Sequence, residues 1–212
     1  MRPSASAAHR LVTIPAPCHA PVPAQEWRGV KQDKGADGRR ELYLDLAQRR
    51  ALLAAATGGV RDLIEAALVT GARPGELVAA PRGAFDPRTK TLTLRGKTGA
   101  RTVPLSPVGV ALFERLSKSK LPTAPLLTRD DGKSWQRAEA AVVKGVNRND
   151  AKLPVAVCLY SCRHSYITQA IVDGLTTLDV AKLTGTSLAM IDKHYGHLVE
   201  TSAERLAKVQ ML

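Results

Sequence analysis

A tyrosine near the C-terminus lies where its phenol could act as a nucleophile. Tyr195 stands in "KHYGHL", residues 193–198, between two histidines, and the chain of 212 residues holds only four tyrosines. Because a phenol has a pKa of about 10, it attacks poorly unless nearby cations lower that pKa or stabilise the transition state. Taken alone, such a tyrosine is more often a packing residue. Its role therefore depends on the cations that other segments supply.

The segment "TGARPGEL", residues 70–77, offers the first cation. Arg73 follows a flexible glycine and precedes Pro74, a residue type favoured in the first turn of a helix. An arginine held there could make a two-pronged contact with a phosphate, and Glu76 could orient it or cap the helix. The alternative is a surface arginine beside a capping glutamate, which composition alone favours.

Two further segments carry cations. Lys97, in "RGKTGAR", lies at the tip of a predicted hairpin, where it is either a solvated turn residue or a proton donor to a leaving alkoxide. Arg163 and His164, in "YSCRHSY", lie on a predicted helix. Cys158 and Cys162 beside His164 are one ligand short of a four-ligand zinc site, so core packing is the favoured interpretation of these cysteines.

The charge balance indicates a polyanionic partner. Lysine and arginine number 31 against 19 acidic residues, which gives a net charge of +12 and favours nucleic acid or an anionic membrane surface. Aromatic residues make up only 4% of the chain, which argues against a single-strand binder built on base stacking. No apolar run approaches the roughly 20 residues of a membrane span. Three cysteines argue against a disulfide framework, so we expect a cytoplasmic protein.

The periodicity of apolar residues predicts an α+β fold that is mostly α-helical, with one small three-stranded antiparallel sheet. Residues 1–41, rich in proline and alanine, are predicted to be a tail or interdomain linker. Turn residues predict three short strands within residues 83–105. Helices are predicted over 42–56 (capped by Asp45 and ended by Gly58-Gly59), 60–70, from Pro74, 106–117 (capped by Ser106), 134–148 (capped by Ser134), 160–174, 176–185, 187–196 and 201–212.

Four segments, in this order, resemble the tyrosine recombinase (phage integrase) family. "TGARPGEL" is similar to the first-arginine box of that family, and "GKTGARTVPL" to its hairpin lysine and the strand end that follows. "YSCRHSYIT" is similar to the second-arginine box, and "GTSLAMIDKHYGHL" to the stretch that carries a nucleophilic tyrosine. The resemblance covers about residues 42–212 and implies the catalytic-domain fold of that family, with double-stranded DNA as the partner.

The resemblance also implies site-specific DNA breakage and rejoining without a metal or other cofactor. Tyr195 attacks a DNA phosphate and forms a 3′-phosphotyrosine, while Arg73 and Arg163 hold the two non-bridging oxygens. Lys97 protonates the 5′-oxygen that leaves. Supporting roles fall to Glu76, Tyr160, Thr186 and His164, and DNA contacts fall to Arg73, Arg95, Lys97, Arg101, Arg163 and Lys193.

The sequence departs from the family pattern at three places. Tyr160 stands where the family usually has histidine, and Thr186 stands where it usually has histidine or tryptophan. Only about 40 residues precede the catalytic part, so the N-terminal core-binding domain is expected to be absent, and "EWRGVKQDKGADGRRELYL" resembles the linker that would follow it. Two alternatives stay open: a DNA-binding remnant without catalysis, and a type IB topoisomerase that relaxes DNA by the same chemistry.

The last segment raises the question of self-association. Residues 201–212 are expected either to dock on a neighbouring protomer, as in a tetramer on DNA, or to pack on their own domain. Without DNA we expect a monomer. The expected location is the cytoplasm of a bacterium, near the nucleoid, with the gene encoded by the bacterium or a phage.

Overall fold

The computed structural model describes residues 43–96, 99–136 and 157–199. Helix α1 (Leu46–Ala55) begins at Asp45, whose carboxylate accepts from the Gln48 N–H while the Gln48 side chain accepts from the Asp45 N–H. This reciprocal pair satisfies two donors that the first turn leaves open, and it confirms the predicted cap.

The predicted role of Gly58-Gly59 as the end of the first helix is wrong. Helix α1 ends at Ala55, and the two glycines instead begin α2 (Gly58–Thr70). The Gly59 N–H donates to Asp130 Oδ1 at 2.6 Å, so a distant carboxylate satisfies a first-turn donor of α2. A glycine pair suits either end of a helix, and a contact with a loop 71 residues away decides which end it serves here.

A short helix leads into the sheet. Helix α3 (Pro74–Val78) has proline at its first position, as predicted, and a 3₁₀ turn (Arg82–Ala84) follows. The three strands β1 (Phe85–Asp86), β2 (Thr91–Gly96) and β3 (Gly99–Pro104) pair antiparallel in sequence order, which confirms the predicted sheet. Strands β2 and β3 pair as far as Gly96 and Gly99, and Lys97 lies outside the described residues.

Helix α4 (Pro107–Ser117) begins at Ser106, whose hydroxyl accepts from the Gly109 N–H. Residues 134–136 are not helical, so no helix begins at Ser134 as predicted. Ser134 instead forms an antiparallel bridge with Thr128. The rest of the helix predicted over 134–148, and the one predicted over 201–212, lie outside the described residues.

The C-terminal part consists of three helices in succession. They are α5 (Leu159–Val172), α6 (Thr177–Thr184) and α7 (Leu188–Tyr195), followed by a 3₁₀ turn (Gly196–Leu198). Thr176 and Ser187 cap α6 and α7 through their hydroxyls, as the serine and threonine positions predicted. No helix of the described residues is long and apolar enough to cross a bilayer.

Two hydrophobic clusters meet along α5. The larger contains the buried side of α1 to α4, the sheet and the start of α5, including Phe113 and Cys162. The smaller contains Ile167 and Ile171 from α5, together with apolar residues of α6 and α7, and Tyr195 belongs to it. Arg163 therefore lies between the two clusters, on the helix that both share.

The close approach at Gly71 gives a test of this packing. Gly71 ends α2 with φ +59°, and a Cβ there would lie 2.3 Å from Tyr166 Cδ1. Gly71→Ala should lower the free energy of unfolding in urea by more than about 2 kcal/mol, because it adds a clash to the cost of the left-handed backbone. Gly132→Ala is the control: its φ is +76° but nothing lies within 4 Å, so about 1 kcal/mol is expected. Equal losses for the two variants would contradict the clash.

Candidate active site

Three arginines from separate elements converge on the C-terminal end of α6. The carbonyl oxygens of residues 183, 184 and 185 accept hydrogen bonds from Arg101 Nε, Arg163 Nη1 and Arg73 Nη2, at 3.0, 2.9 and 2.7 Å. The last carbonyls of a helix have no partner within the helix, and they carry the negative end of its dipole. They therefore suit cationic donors.

Gly185 makes room for this arrangement. It ends α6 in the left-handed conformation, with φ +65°, and its N–H donates to the Ala181 carbonyl. A Cβ at this position would lie 2.6 Å from Arg101 Nη1. Glycine is therefore the residue that lets the Arg101 guanidinium lie against the end of the helix.

Glu76 fixes two of the arginines from the other side. Arg101 donates to both of its oxygens, at 2.9 and 2.6 Å, and Arg73 Nη1 donates to Oε1 at 3.0 Å. The Arg73 backbone N–H also donates to Oε2, so Glu76 both caps α3 and orients Arg73. Burial raises the pKa of Glu76, but the hydrogen bonds from Arg101 and Arg73 outweigh it and lower the pKa to about 2.

Arg163 is buried where the clusters meet. Only 7% of it is exposed, and its Nη1 also donates to the Gly71 carbonyl at 2.6 Å. Burial, together with the charges of Arg73 and Arg101, lowers the pKa of Arg163 to about 10, so it remains a cation at neutral pH. Two of the three guanidinium groups are paired with the Glu76 carboxylate and the third is held by carbonyls, so the excess positive charge favours an anion.

A cavity of about 200 Å³ opens beside these arginines. Tyr195 lies in its wall, 8% exposed, and its hydroxyl is hydrogen-bonded to His164 Nδ1. The side chains that line the cavity come from the residue that precedes α3, from α5 and α7, and from the loop between α6 and α7. They are Arg73, Tyr160, Arg163, His164, Ile167, Thr186, Met190, Ile191, His194 and Tyr195.

The structure brings most of the residues predicted from the sequence to this cavity and places others elsewhere. Glu76 and Arg101 lie behind Arg73, and Arg101 is bonded through three guanidinium nitrogens. Arg95 on β2 and Lys193 on α7 are exposed and are not among the described residues that line the cavity.

Two features of the site were not predicted from the sequence. They are the position of His194 in the cavity wall and the pairing of Arg101 with Glu76. A basic residue on the outer strand carries no signal of such a pair, because the partner lies 25 residues away. Cys162 lies in the larger core, where burial raises its pKa to about 12, and no metal-binding group of three side chains occurs in the described part of the chain.

The Glu76 interactions predict a pH-dependent stability. Because the pKa of Glu76 falls from 4.5 to about 2 on folding, the ionised form contributes about 3 kcal/mol above pH 4.5, and this contribution is lost as the pH falls toward 2. Glu76→Gln should therefore lower the free energy of unfolding in urea by at least about 2 kcal/mol at pH 7, and by less at pH 3.

The matched control for Glu76→Gln is Glu65→Gln. Glu65 lies in a surface pair with Arg115, with a side chain 22% exposed and a separation of 3.5 Å. Such a pair contributes less than about 1 kcal/mol. A loss for Glu76→Gln no greater than for Glu65→Gln at pH 7 would contradict the role given to the Glu76 cluster.

Comparison with solved structures identifies the fold. XerA recombinase matches with a TM-score of 0.62 and 18% identity, over 78% of this chain and 63% of that one. The Tn1549 transposon integrase in complex with circular intermediate DNA matches with a TM-score of 0.66 and 18% identity, over 81% and 67% of the two chains. The catalytic domain of bacteriophage HP1 integrase matches with a TM-score of 0.60 and 20% identity, over 80% of this chain and 95% of that one.

No family model and no curated protein matches. This chain therefore has the fold of the tyrosine recombinase catalytic domain.

Proposed function

We propose that this domain cleaves and rejoins DNA at specific sites through a covalent phosphotyrosine. The observation that carries the proposal is the shared cavity of Arg73, Arg163 and Tyr195, which come from three separate elements of the chain. Two guanidinium groups beside one phenol form the set of groups that a phosphoryl transfer without a metal requires.

The arginines act on the phosphate. Arg73 and Arg163 hold the two non-bridging oxygens and stabilise the negative charge that builds up as Tyr195 attacks. Their positions are set in advance by Glu76 and by the carbonyls at the end of α6, so little reorganisation accompanies the reaction. The hydroxyls of Tyr160 and Thr186, which line the same cavity, add hydrogen bonds to the phosphate.

The leaving 5′-oxygen needs a proton, and we assign that proton to Lys97 on the resemblance described above. Lys97 follows Gly96, the last residue of β2. Glu76 lies beneath Gly96: a Cβ on that glycine would lie 2.6 Å from Glu76 Oε1. Strand β2 therefore ends beside the Glu76 carboxylate that holds Arg73 and Arg101.

Double-stranded DNA is the partner that the charge favours. The net charge of +12 suits contacts with a phosphate backbone, and the related Tn1549 integrase was solved in complex with DNA. The exposed Arg95 and Lys193 serve such contacts, while Arg101 holds Glu76 and Arg73 in place. We propose further that residues 1–41 form a linker, that residues 201–212 join protomers in a tetramer on DNA, and that the protein acts at the bacterial nucleoid.

Substitution of Tyr195 gives the first test. The full chain is incubated with a pool of nicked duplexes of randomised sequence, and DNA that stays attached to protein in detergent is recovered. The wild type should yield a covalent adduct and Tyr195→Phe should yield none, because the nucleophilic oxygen is gone. Tyr166→Phe, which keeps its ring against Gly71, should form the adduct like the wild type.

The same experiment separates the alternatives. A wild type that retains DNA in a salt-sensitive way but forms no adduct is a DNA-binding remnant. A wild type that forms the adduct and relaxes supercoiled plasmid, but exchanges no strands, is a topoisomerase. An adduct that persists in Tyr195→Phe would overturn the assignment of the nucleophile.

Substitution of Arg163 gives the second test. Lysine cannot reproduce the planar fork of a guanidinium, so Arg163→Lys should slow adduct formation about 10²- to 10³-fold. Arg73→Lys, at a side chain 36% exposed, should give the same defect with less effect on the melting temperature. Arg115→Lys, on the surface beside Asp62, is the control and should react at the wild-type rate. Equal rates for Arg163→Lys and Arg115→Lys would contradict the proposal.

A further inference from the structure

We propose that His164 is the base that accepts the phenolic proton of Tyr195 when Tyr195 attacks the phosphate. The proposal rests on the function proposed above and adds a catalytic residue to it. Its direct evidence is the hydrogen bond between His164 Nδ1 and the Tyr195 hydroxyl, which joins α5 to the last residue of α7. The two rings lie with their centroids 6.0 Å apart.

The position of His164 on α5 explains this contact. Residues 160, 163, 164 and 167 all line the cavity, and their spacing places them on one face of the helix. His164 therefore points to the same side as Tyr160, one helical turn (about 5.4 Å) further along. Arg163, beside it, turns toward the carbonyls of residues 71 and 184.

The departure from the family pattern at residue 160 places a tyrosine instead of a histidine one helical turn before His164. Tyr160 is 46% exposed, and a phenol hydroxyl accepts a proton less readily than an imidazole nitrogen does. An imidazole titrates near neutrality and suits this task. His164, one turn further along α5, supplies an imidazole in contact with the nucleophile.

The titratable groups around His164 come from two cavities, and His164 is the histidine whose ring nitrogen is hydrogen-bonded to the phenol. The cavity on one side presents Arg73, Arg163 and His194, and the cavity on the other presents Tyr43 and His197. Among the described residues that line these two cavities there is no carboxylate. His194 is the competing base, because its ring lies with its centroid 6.4 Å from that of Tyr195.

The proposed step moves one proton from Tyr195 to His164 and a second from Lys97 to the leaving oxygen. Neutral His164, with its proton on Nε2, accepts the Tyr195 hydroxyl proton at Nδ1 and becomes an imidazolium. The phenolic oxygen forms a bond to phosphorus as the bond from phosphorus to the 5′-oxygen breaks, and the 5′-oxygen takes its proton from Lys97. In the rejoining step each proton returns along the same route.

The kinetic test uses a nicked duplex that the wild-type chain has selected from the randomised pool. His164→Gln should slow adduct formation about 100-fold at pH 7.5, because an amide keeps a polar contact but cannot take the proton. The rate of the wild type should rise with pH through the range in which imidazoles titrate, and this rise should disappear in His164→Gln. His197→Gln, at an exposed histidine of the neighbouring cavity, should keep both the rate and the pH profile.

A second substrate separates the phenol from the leaving group. With sulfur in place of the bridging 5′-oxygen the leaving group needs no proton, so the defect of Lys97→Ala should be rescued while that of His164→Gln persists. Rescue of His164→Gln would overturn the proposal, since His164 would then serve the leaving group. Loss of the pH-dependent rise in His194→Gln rather than in His164→Gln would also overturn it.

A third measurement needs no DNA. In ¹⁵N nuclear magnetic resonance of the full chain, neutral His164 should carry its proton on Nε2, and Tyr195→Phe should shift its Nδ1 signal. A proton on Nδ1 would overturn the proposal, because His164 would then donate to the phenol. Failure of the wild type to form any adduct would instead overturn the proposed function, and this inference with it.

Discussion

The arrangement of the site depends on the C-terminal end of one short helix. Three successive carbonyls, two from the end of α6 and one from Gly185 after it, accept hydrogen bonds from three arginines, which come from the start of α3, from β3 and from the middle of α5. These carbonyls would otherwise be unpaired at the end of a helix. Because each bond joins α6 to a different element, the end of this helix sets the relative positions of the parts of the chain that form the cavity.

The same contacts leave the arginine cluster with a net positive charge that is available to a ligand. Peptide carbonyls satisfy the hydrogen-bonding capacity of a guanidinium without cancelling its charge, and Glu76 supplies one negative charge against three positive ones. Two further buried carboxylates would have neutralised the cluster and closed it to a phosphate. The observed partners hold the arginines rigidly and keep their charge, which is the combination that electrostatic stabilisation of a transition state requires.

Local features of this fold could be predicted from the sequence, and features that depend on distant contacts could not. The caps at Asp45 and Ser106 depend on residues three positions away, as does the contact of Glu76 with Arg73. The glycine pair before α2 was misassigned because Asp130 decides its role.

The residues of the cavity also divide into local features that the sequence predicted and distant contacts that it could not predict. The order of Arg73, Arg163 and Tyr195 along the chain indicated a shared site, and the structure places all three in one cavity wall. The contact of His164 with Tyr195 depends on how α7 packs against α5 and α6, and periodicity carries no information about that packing. The partner of Arg101 was hidden for the same reason, since the contact forms only when β3 lies against α3 and α6.

The burial of Tyr195 has a consequence for the control of the reaction. Its ring belongs to the smaller hydrophobic cluster, with Ile167 and Ile191, so the proposed nucleophile is also a structural side chain. Any movement of the ring in the proposed attack would loosen those apolar contacts, and the binding of the substrate would have to compensate for their loss. In the proposed reaction, a phosphodiester that binds too weakly to compensate for these contacts would leave the Tyr195 ring packed between the helices.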